Sequence, residues 1–291
     1  MIDFRIAQWQ QLNLLYLPVY VAMEAGLLRR HGLRASLVFS GNDDRTYADV
    51  AAGRAEFGIG DPVFCLQGKR GAPFKTMLLA TIARRAGLWG VTHNPVIQPV
   101  RVLSDLAGLR VGCYPAPSTS HTLLFALKNS NKRLLSGMQI VETPIGNQCE
   151  AVLEGKADIA LHIEPYVSLA EQRGWRRVYS FSQVHGELLF SALYVHAEWA
   201  RDNPKVVKGV LAALGSALQL LIERPDVALK VARKFFPDFP DGLLQTAIRQ
   251  HLKSRIWSLT PEIIPEQLRQ SISLHRQCGR TLRTDWESCI I

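Results

Sequence analysis

The 291-residue chain lacks the features that place a protein in a class at first sight. None of its 5 cysteines forms a C-x-x-C pair, so neither a zinc site nor a thioredoxin-like redox pair is indicated, and free thiols are expected. The longest apolar run, around 210–222, has helical periodicity and polar breaks and is too short to span a membrane. The N-terminal residues show neither the basic segment nor the apolar segment of a secretory signal peptide. The expected location is cytoplasmic if Met1 is the native start, and periplasmic or membrane-associated outside the cytoplasm if a signal segment was removed.

Acidic residues are the minority, 25 against 34 Lys and Arg, which gives a formal net charge of +9. The basic residues are nevertheless scattered in ones and twos, and no basic run is interleaved with aromatic residues. No helix-turn-helix pattern occurs either, so we expect no nucleic-acid partner. A nucleophile elbow, a phosphate-binding glycine loop and a paired-carboxylate spacing are all missing, so no catalytic residue is predicted.

What the chain does contain is an alternation of short strands and helices. An apolar content of 47% and a charged content of 20% are typical of an ordered globular protein. Residues 2–82 predict a β-α-β-α-β-α-β order, and a second such order begins near residue 103. This rhythm is typical of parallel sheets wrapped by helices. We therefore predict an α/β fold of two lobes.

From Asn203 onward the pattern turns helical to the end of the chain. Apolar residues between 206 and 221 recur at 3.6-residue spacing, with Asn203 as the predicted cap and Pro204 at the first helical position. We place lobe 1 at residues 1–90 and 191–291 and lobe 2 at residues 91–190. The predicted crossings between the lobes lie at 89–92 and 191–195.

One strand-turn-helix stretch, 109–124 (LRVGCYPAPSTSHTLL), is a candidate binding element. Hydroxyl residues are favoured helix caps, and a helix start presents backbone N–H groups and a positive dipole end. In α/β sheets such a start lies at the carboxyl edge, where ligands bind. The alternative is an ordinary capped helix.

Several short motifs in collinear order resemble one family. Residues 18–28 (PVYVAMEAGLL) with His31-Gly32-Leu33 resemble P-x-Y-V-A-x-E-x-G-x-F…G-L-x-V, and 52–58 (AGRAEFG) is similar to A-G-x-x-D-F-G. Residues 103–112 (LSDLAGLRVG) resemble S-L-x-D-L-x-G-K-x-V-G, and 155–160, 164–166, 203–204 and 223–226 continue the match. These patterns are those of the sulfonate, nitrate and thiamine-precursor branch of ABC-importer solute-binding proteins.

This resemblance implies a two-lobed type II periplasmic-binding-protein clam-shell with C-terminal helices. The implied function is a non-enzymatic receptor that closes on a small-molecule ligand and presents it to an ABC permease at the membrane. We expect no cofactor, no metal and a monomeric chain. The ligand contacts should come from the loops at strand ends: Trp9, Gln10, Asn42, Asp43, Asp61, Ser118, Thr119, Ser120, His121, Asn147 and Glu164.

Four of these residues also have a structural interpretation. Trp9, in a loop resembling the W-Q-P loop of proteins that hold thiamine-type pyrimidines, either stacks on a ligand ring or packs in the core. Asp61 and Glu164 either contact the ligand or serve as helix caps and structural ion-pair partners. His121 lies on a helix, where a surface or packed position is the commoner one.

The three acids Asp43, Asp61 and Glu164 favour a nitrogen heterocycle such as a thiamine-precursor pyrimidine over a sulfonate or a related anion. The helix start at Ser118, with Arg84 or Arg85 if they point inward, favours an anion. A cytosolic enzyme on the same fold is the alternative function. The fungal thiamine-pyrimidine synthase, which shares this fold, consumes one of its own histidines and has a cysteine-rich run. Here 62–67 (PVFCLQ) has no histidine, and no cysteine run precedes the return strand.

Overall fold

A computed structural model of the protein describes all residues, 1–291. The chain forms two compact units. Unit 1 comprises 1–85, 187–272 and 281–291, and unit 2 comprises 86–186 and 273–280. The chain thus leaves unit 1 after Arg85 and returns at Glu187, a few residues before each predicted crossing. The reason is that 89–92 and 191–196 are regular strands inside the two sheets.

Unit 1 is built on a five-stranded mixed sheet. The strands are β1 (Ile2–Trp9), β2 (Leu33–Gly41), β3 (Phe57–Gly60), β4 (Thr76–Ala83) and β10 (Ser191–His196), in the order β2-β1-β3-β10-β4. β1 is parallel to β2 and β3, as predicted from the alternating pattern. β10 is antiparallel to both β3 and β4, so the sheet is not wholly parallel. The antiparallel strand is the one on which the chain returns from unit 2.

Helices cover this sheet. They are α1 (Leu17–Glu24), α2 (Asp43–Ala51), α7 (Ala197–Asp202), α8 (Pro204–Glu223), α9 (Pro225–Phe235), α10 (Asp241–Lys253) and α11 (Pro265–Gln277), the last of which continues into unit 2. The last helix of the order predicted for residues 2–82, expected at 64–69, is instead a 3₁₀ turn, Pro62–Leu66. It ends there because Gln67 is extended and Gly68 has a positive φ of 108°.

The helix α8 carries the predicted apolar stripe, and Val206, Val210, Leu214 and Leu218 are buried. By length and composition α8 is the one helix that could cross a membrane, which differs from the expectation that its apolar run is too short, and half of its most apolar stretch is buried inside the protein. A buried core helix has the same composition. The prediction that Asn203 caps α8 with its side chain is wrong: it makes no such hydrogen bond, and its Nδ2 donates to the Trp199 carbonyl 2.9 Å away.

Unit 2 repeats the strand order of unit 1, although the sequence shows no repeat. Its strands are β5 (Trp89–Thr92), β6 (Arg110–Cys113), β7 (Gln139–Glu142), β8 (Ile159–His162) and β9 (Arg176–Ser180), in the order β7-β6-β8-β5-β9. β6 is parallel to β7 and β8, while β5 is antiparallel to β8 and β9. Its helices are α3 (Thr119–Ser130), α4 (Gln148–Leu153), α5 (Tyr166–Gln172) and α6 (Phe181–His185).

Candidate ligand-binding site

The carboxyl ends of β1, β2 and β3 meet at one edge of the unit 1 sheet. Trp9 at the end of β1 is aligned with Gly41 at the end of β2, and the Gln10 backbone N–H donates to the Gly41 carbonyl at 2.8 Å. Asn42 follows Gly41 directly and begins α2. The structure thus brings Trp9, Gln10 and Asn42 together, as expected for neighbouring parallel strands. Trp9 is partly buried and Gln10 is exposed.

The side chain of Asn42 is used to cap α2. Its Oδ1 accepts from the Arg45 backbone N–H at 3.0 Å. The backbone carbonyl of Asn42 accepts from the Thr46 hydroxyl at 2.9 Å. Asparagine is among the preferred residues at this position because its oxygen satisfies an amide of the first turn. Asn42 therefore fixes the start of α2, where the acidic residue Asp43 lies.

Asp43 and Asp61 lie against each other at this edge. Asp43 Oδ1 accepts from the Asp61 backbone N–H at 3.2 Å, and Asp61 Oδ1 in turn accepts from the Val63 N–H at 3.1 Å. A side chain at Gly60 would displace the Asp43 carboxylate, because a Cβ there would lie 2.5 Å from Asp43 Oδ1. Asp61 is buried and Asp43 partly buried, so the two carboxyls form one acidic site at the ends of β2 and β3.

Two tyrosines that sequence reasoning missed, Tyr16 and Tyr194, belong to the same acidic site. Burial raises the pKa of both phenols, and the negative charges of Asp43 and Asp61 raise it further. Both hydroxyls therefore stay protonated. Tyr194 comes from β10 and lies over Gly58, where a Cβ would be 2.6 Å from Cζ of the ring. The sequence feature that could have indicated these contacts is the pair of glycines at 58 and 60, which lie two residues apart on one face of β3.

A buried glutamine beside Trp9 was missed as well. Gln8 is fully buried, and the Tyr20 hydroxyl donates to its Oε1 at 2.8 Å, while its Nε2 has no partner. Alternation along β1 puts Gln8 on the face of the sheet opposite to Trp9. The Tyr20 ring stacks on Phe235 of α9 with centroids 4.2 Å apart. This pair therefore orders the strand that presents Trp9.

Unit 2 has its own strand-end edge, where Ser118 caps α3 as predicted. The Ser118 hydroxyl accepts from the His121 N–H at 3.3 Å and donates to the Tyr114 carbonyl at 2.9 Å. The Ser120 hydroxyl lies 3.0 Å from that of Ser118, and Thr119 is the first helical residue. The hydroxyl groups of Ser118 and Ser120 thus lie together at the start of a three-turn helix.

The other residues predicted for unit 2 are more dispersed. His121 Nε2 lies 3.5 Å from a Glu142 carboxylate oxygen, and its ring stacks on Phe125, so this side chain has partners within unit 2. Asn147 precedes α4 without capping it and is exposed.

Glu164 makes the structural ion pair that the sequence analysis gives as the alternative to ligand binding. It is fully buried, and its oxygens accept from the Ser168 N–H at 3.0 Å and from Arg177 Nη2 at 3.1 Å. Burial raises its pKa, and the charge of Arg177 opposes that rise. Arg177 also pairs with Glu171 at 2.7 Å. The carboxylate thus holds α5 to β9.

Arg84 and Arg85, which the sequence analysis considers as partners of an anionic ligand, lie near an acidic residue inside unit 1. Arg84 Nη1 lies 3.7 Å, and Arg85 Nη2 3.4 Å, from the same Glu187 oxygen. No group of three or more potential metal ligands is present in the chain. The side chains described at the strand ends of unit 1 are thus mainly two aspartates, two tyrosine hydroxyls and one indole.

The comparisons with known proteins support this architecture. Residues 13–228 match the family model described as NMT1/THI5 like. The periplasmic aliphatic sulphonate binding protein SsuA from Escherichia coli has a similar structure, with a TM-score of 0.77, 17% identity, and coverage of 100% of this chain and 97% of that one. No curated protein matches the sequence.

Two further structures share the fold. The alkanesulfonate-binding protein SsuA from Xanthomonas axonopodis pv. citri, bound to MOPS, has a TM-score of 0.73 at 16% identity, with coverage of 99% and 98%. The desulfurization enzyme DSZB has a TM-score of 0.67 at 15% identity, with coverage of 100% and 96%. Such low identities show the fold alone. The predicted α/β fold of periplasmic binding proteins is confirmed, and the chain belongs to the NMT1/THI5-like family.

Proposed function

We propose that this protein is a solute-binding receptor for a small nitrogen heterocycle of the thiamine-precursor type, and that it serves ABC-type import. The observation that carries the proposal is the acidic site of unit 1, in which Asp43 and Asp61 lie together beside Tyr16 and Tyr194. Family membership and the receptor fold of the SsuA proteins support a binding role.

The chemistry of the acidic site favours a ligand that donates hydrogen bonds. Ionised carboxylates only accept, whereas phenol hydroxyls donate or accept. An amino group or a protonated ring nitrogen could donate a hydrogen bond to these carboxylates, while a sulfonate would be repelled by negative charge there. Arg84 and Arg85 share the single carboxylate of Glu187, which offsets one of their two positive charges. A small sulfonate or other organic anion is therefore the less favoured ligand.

Trp9 supplies the aromatic surface that a planar heterocycle requires. Its indole is partly buried at the end of β1, next to the end of β2, from which the chain enters α2 at Asp43. Indoles stack on flat rings through a large apolar face, so Trp9 would hold the ring while the acids bind its nitrogen groups. Gln10, Asn42, Ser118, Thr119, Ser120, His121, Asn147 and Glu164 remain predicted site residues, of which Asn42 and Glu164 act through the geometry of their loops.

The proposed partners are a small-molecule ligand and an ABC permease, and the proposed site of action is outside the cytoplasm. The SsuA proteins named above are binding proteins, and the one from Escherichia coli is described as periplasmic. An enzyme on the same fold is the alternative function, because DSZB is described as a desulfurization enzyme.

Two measurements test the proposal. Native mass spectrometry of the purified chain should show a co-purified small molecule of nitrogen-heterocycle mass. Calorimetry should then give tighter binding of 4-amino-5-hydroxymethyl-2-methylpyrimidine than of ethanesulfonate. Preferential binding of ethanesulfonate would contradict the ligand class, and chemical conversion of a bound compound would contradict the receptor function.

A further inference from the structure

Two adjacent arginines at the end of β4 share a single acidic partner. Arg84 and Arg85 follow β4, and Glu187 is the residue at which the chain returns to unit 1, so all three belong to this unit. Arg84 Nη1 lies 3.7 Å from Glu187 Oε1, which is too far for a hydrogen bond, and Arg85 Nη2 donates to the same oxygen at 3.4 Å. One carboxylate therefore faces two guanidinium groups, which leaves a surplus of positive charge.

The hydrogen-bonding capacity of the two guanidinium groups is largely unused. The side chains of Arg84 and Arg85 are only 16% and 26% exposed, and the Nε atom of each is buried without a partner. The second carboxylate oxygen of Glu187 accepts from Gln267 Nε2 at 3.0 Å instead. Buried polar atoms normally have partners, and a guanidinium has several N–H donors. The group that would satisfy both arginines is therefore an acceptor with several oxygen atoms.

Another arginine of similar burial has the opposite balance of charge. The Arg177 side chain is also 16% exposed, and its guanidinium pairs with two carboxylates, those of Glu164 at 3.1 Å and Glu171 at 2.7 Å. Two negative charges there meet one positive charge, whereas at Arg84 and Arg85 one negative charge meets two positive ones. Because an uncompensated charge in a largely buried position is costly, an anion beside these two arginines would be stabilised.

The arginine pair lies at the same edge of the unit 1 sheet as the acidic site, but on another strand. β10 is antiparallel to both β3 and β4, so β4 runs parallel to β3 and the carboxyl ends of both lie at one edge. Because β10 lies between them, the two strand ends are about 10 Å apart, at roughly 4.8 Å per strand. Asp61, which follows β3, and Arg84, which follows β4, therefore belong to separate positions on one edge of the kind that binds ligands.

We propose that Arg84 and Arg85 bind a phosphate group, either as the free ion or as part of a larger molecule. Guanidinium groups form paired hydrogen bonds with phosphate oxygens, and a phosphate has enough oxygens to serve both arginines at once. Glu187 weakens this binding, because its charge has the same sign as that of the ligand. The proposal goes beyond the proposed function, since this site takes an anion whereas Asp43 and Asp61 take hydrogen-bond donors.

Calorimetry of the full chain at low ionic strength, with inorganic phosphate as the probe, tests this site. Arg84→Gln or Arg85→Gln should weaken phosphate binding by about tenfold or more, because hydrogen bonds between charged groups are the strong ones. Arg84→Lys, which keeps the charge but not the paired geometry, should retain part of the affinity. Arg70→Gln is the matched control, since Arg70 is an exposed arginine of unit 1. No phosphate binding by the wild type, or equal weakening by all three Gln variants, would overturn the proposal.

Glu187→Gln provides a second measurement, which a purely structural role of the arginines would not explain. The substitution removes the negative charge and keeps an oxygen that can accept from Gln267, so phosphate affinity should rise several-fold. Unchanged or weaker phosphate binding in a folded Glu187→Gln protein would overturn the proposal.

Methyl phosphate distinguishes the two sources of the phosphate group. If it binds more tightly than inorganic phosphate, and Arg84→Gln weakens both, the site takes the phosphate group of a larger molecule. If inorganic phosphate binds more tightly, with the same effect of Arg84→Gln, the site takes the free ion.

The outcomes separate this inference from the proposed function. Asp43→Asn should change the affinity for 4-amino-5-hydroxymethyl-2-methylpyrimidine and not that for phosphate, whereas Arg84→Gln should do the reverse. If the wild type binds phosphate but not the pyrimidine, the ligand class of the proposed function falls and the phosphate site stands. If it binds the pyrimidine but not phosphate, only the phosphate site falls. Melting temperatures of all variants identify any loss of affinity that is due to unfolding.

Discussion

The Asp43 carboxylate accepts a hydrogen bond from the backbone N–H of Asp61, across 3.2 Å and from the next loop of the same sheet edge. This contact joins the start of α2 to the end of β3. Glycine at position 60 leaves room for it, because a Cβ there would lie 2.5 Å from the carboxylate oxygen and would displace it. The arrangement places two acids where the ends of parallel strands bind ligands.

Asp43→Asn should weaken pyrimidine binding by about 1.5–3 kcal/mol, the range for hydrogen bonds to charged groups. The amide keeps an acceptor oxygen for the Asp61 N–H, so the melting temperature should change little. Calorimetry and thermal unfolding measure the two effects. Asp44→Asn is the matched control, because Asp44 is the exposed neighbour on the same helix. Equal effects of the two substitutions on affinity would contradict a ligand role for Asp43.

Trp9→Ala should weaken binding by roughly 1–3 kcal/mol if the indole stacks on the ligand ring. Its cost to the free energy of unfolding should stay below the roughly 3–5 kcal/mol of a core tryptophan, because Trp9 is only partly buried. Trp9→Phe should retain much of the affinity. Intact affinity in a strongly destabilised Trp9→Ala protein would assign the residue to the core instead.

Gly58→Ala should destabilise unit 1 by about 1–3 kcal/mol, as overpacking does, because the new Cβ would overlap the Tyr194 ring. Denaturant unfolding measures this cost. Gly242→Ala in α10 is the control: no atom lies within 4 Å of its added Cβ, and alanine is the better helix former. A double variant with Tyr194→Leu should recover part of the loss. An unchanged stability in Gly58→Ala would show that the Tyr194 ring moves freely.

Asp158 should make the stability of unit 2 depend on pH in the acidic range. Its carboxylate accepts from the backbone N–H of Arg110 at 2.8 Å and from the guanidinium at 2.7 Å, and hydrogen bonds from Arg110 hold its pKa below the usual value near 3.8. A lowered native pKa gives stability that is fully present above the unfolded pKa and is lost as the pH falls through the native one.

Asp158→Asn should therefore be less stable than the wild type at pH 7, and this difference should shrink as the pH falls below about 4. Thermal unfolding followed between pH 7 and pH 2.5 measures it. Asp105→Asn is a comparison within unit 2, because Asp105 accepts only from backbone N–H groups of 101 and 102. A stability difference for Asp158→Asn that is the same at every pH would contradict an ionic contribution.

Incubation with pyridoxal phosphate should give no stable aldimine absorbance band. A Schiff base requires a lysine that is desolvated enough to stay neutral, and Lys69 and Lys75, the lysines nearest to strand ends of unit 1, are both exposed. The intact mass should also stay constant with ferrous iron and oxygen. A stoichiometric aldimine band or a mass loss linked to turnover would favour the enzyme of the fungal type over the receptor.

The sequence by itself determined most of the elements, although not the helix expected at 64–69, which is a 3₁₀ turn at 62–66. Period-two and period-3.6 patterns depend only on neighbours along the chain, so β1, β2 and the apolar stripe of α8 could be predicted from them. The hydroxyl cap at Ser118 is likewise a local signal, and the structure confirms it. The order of the family motifs was sufficient to predict the fold.

Only the tertiary structure decided which side chains meet. The insertion of β10 between β3 and β4 brings Tyr194 onto Gly58, and the register of β6 with β8 brings Tyr114 to His162, 48 residues further along. Packing also gives Glu164 its surroundings, since this residue lies fully buried against Arg177. Strand order and burial arise from long-range packing, which no local pattern along the chain encodes.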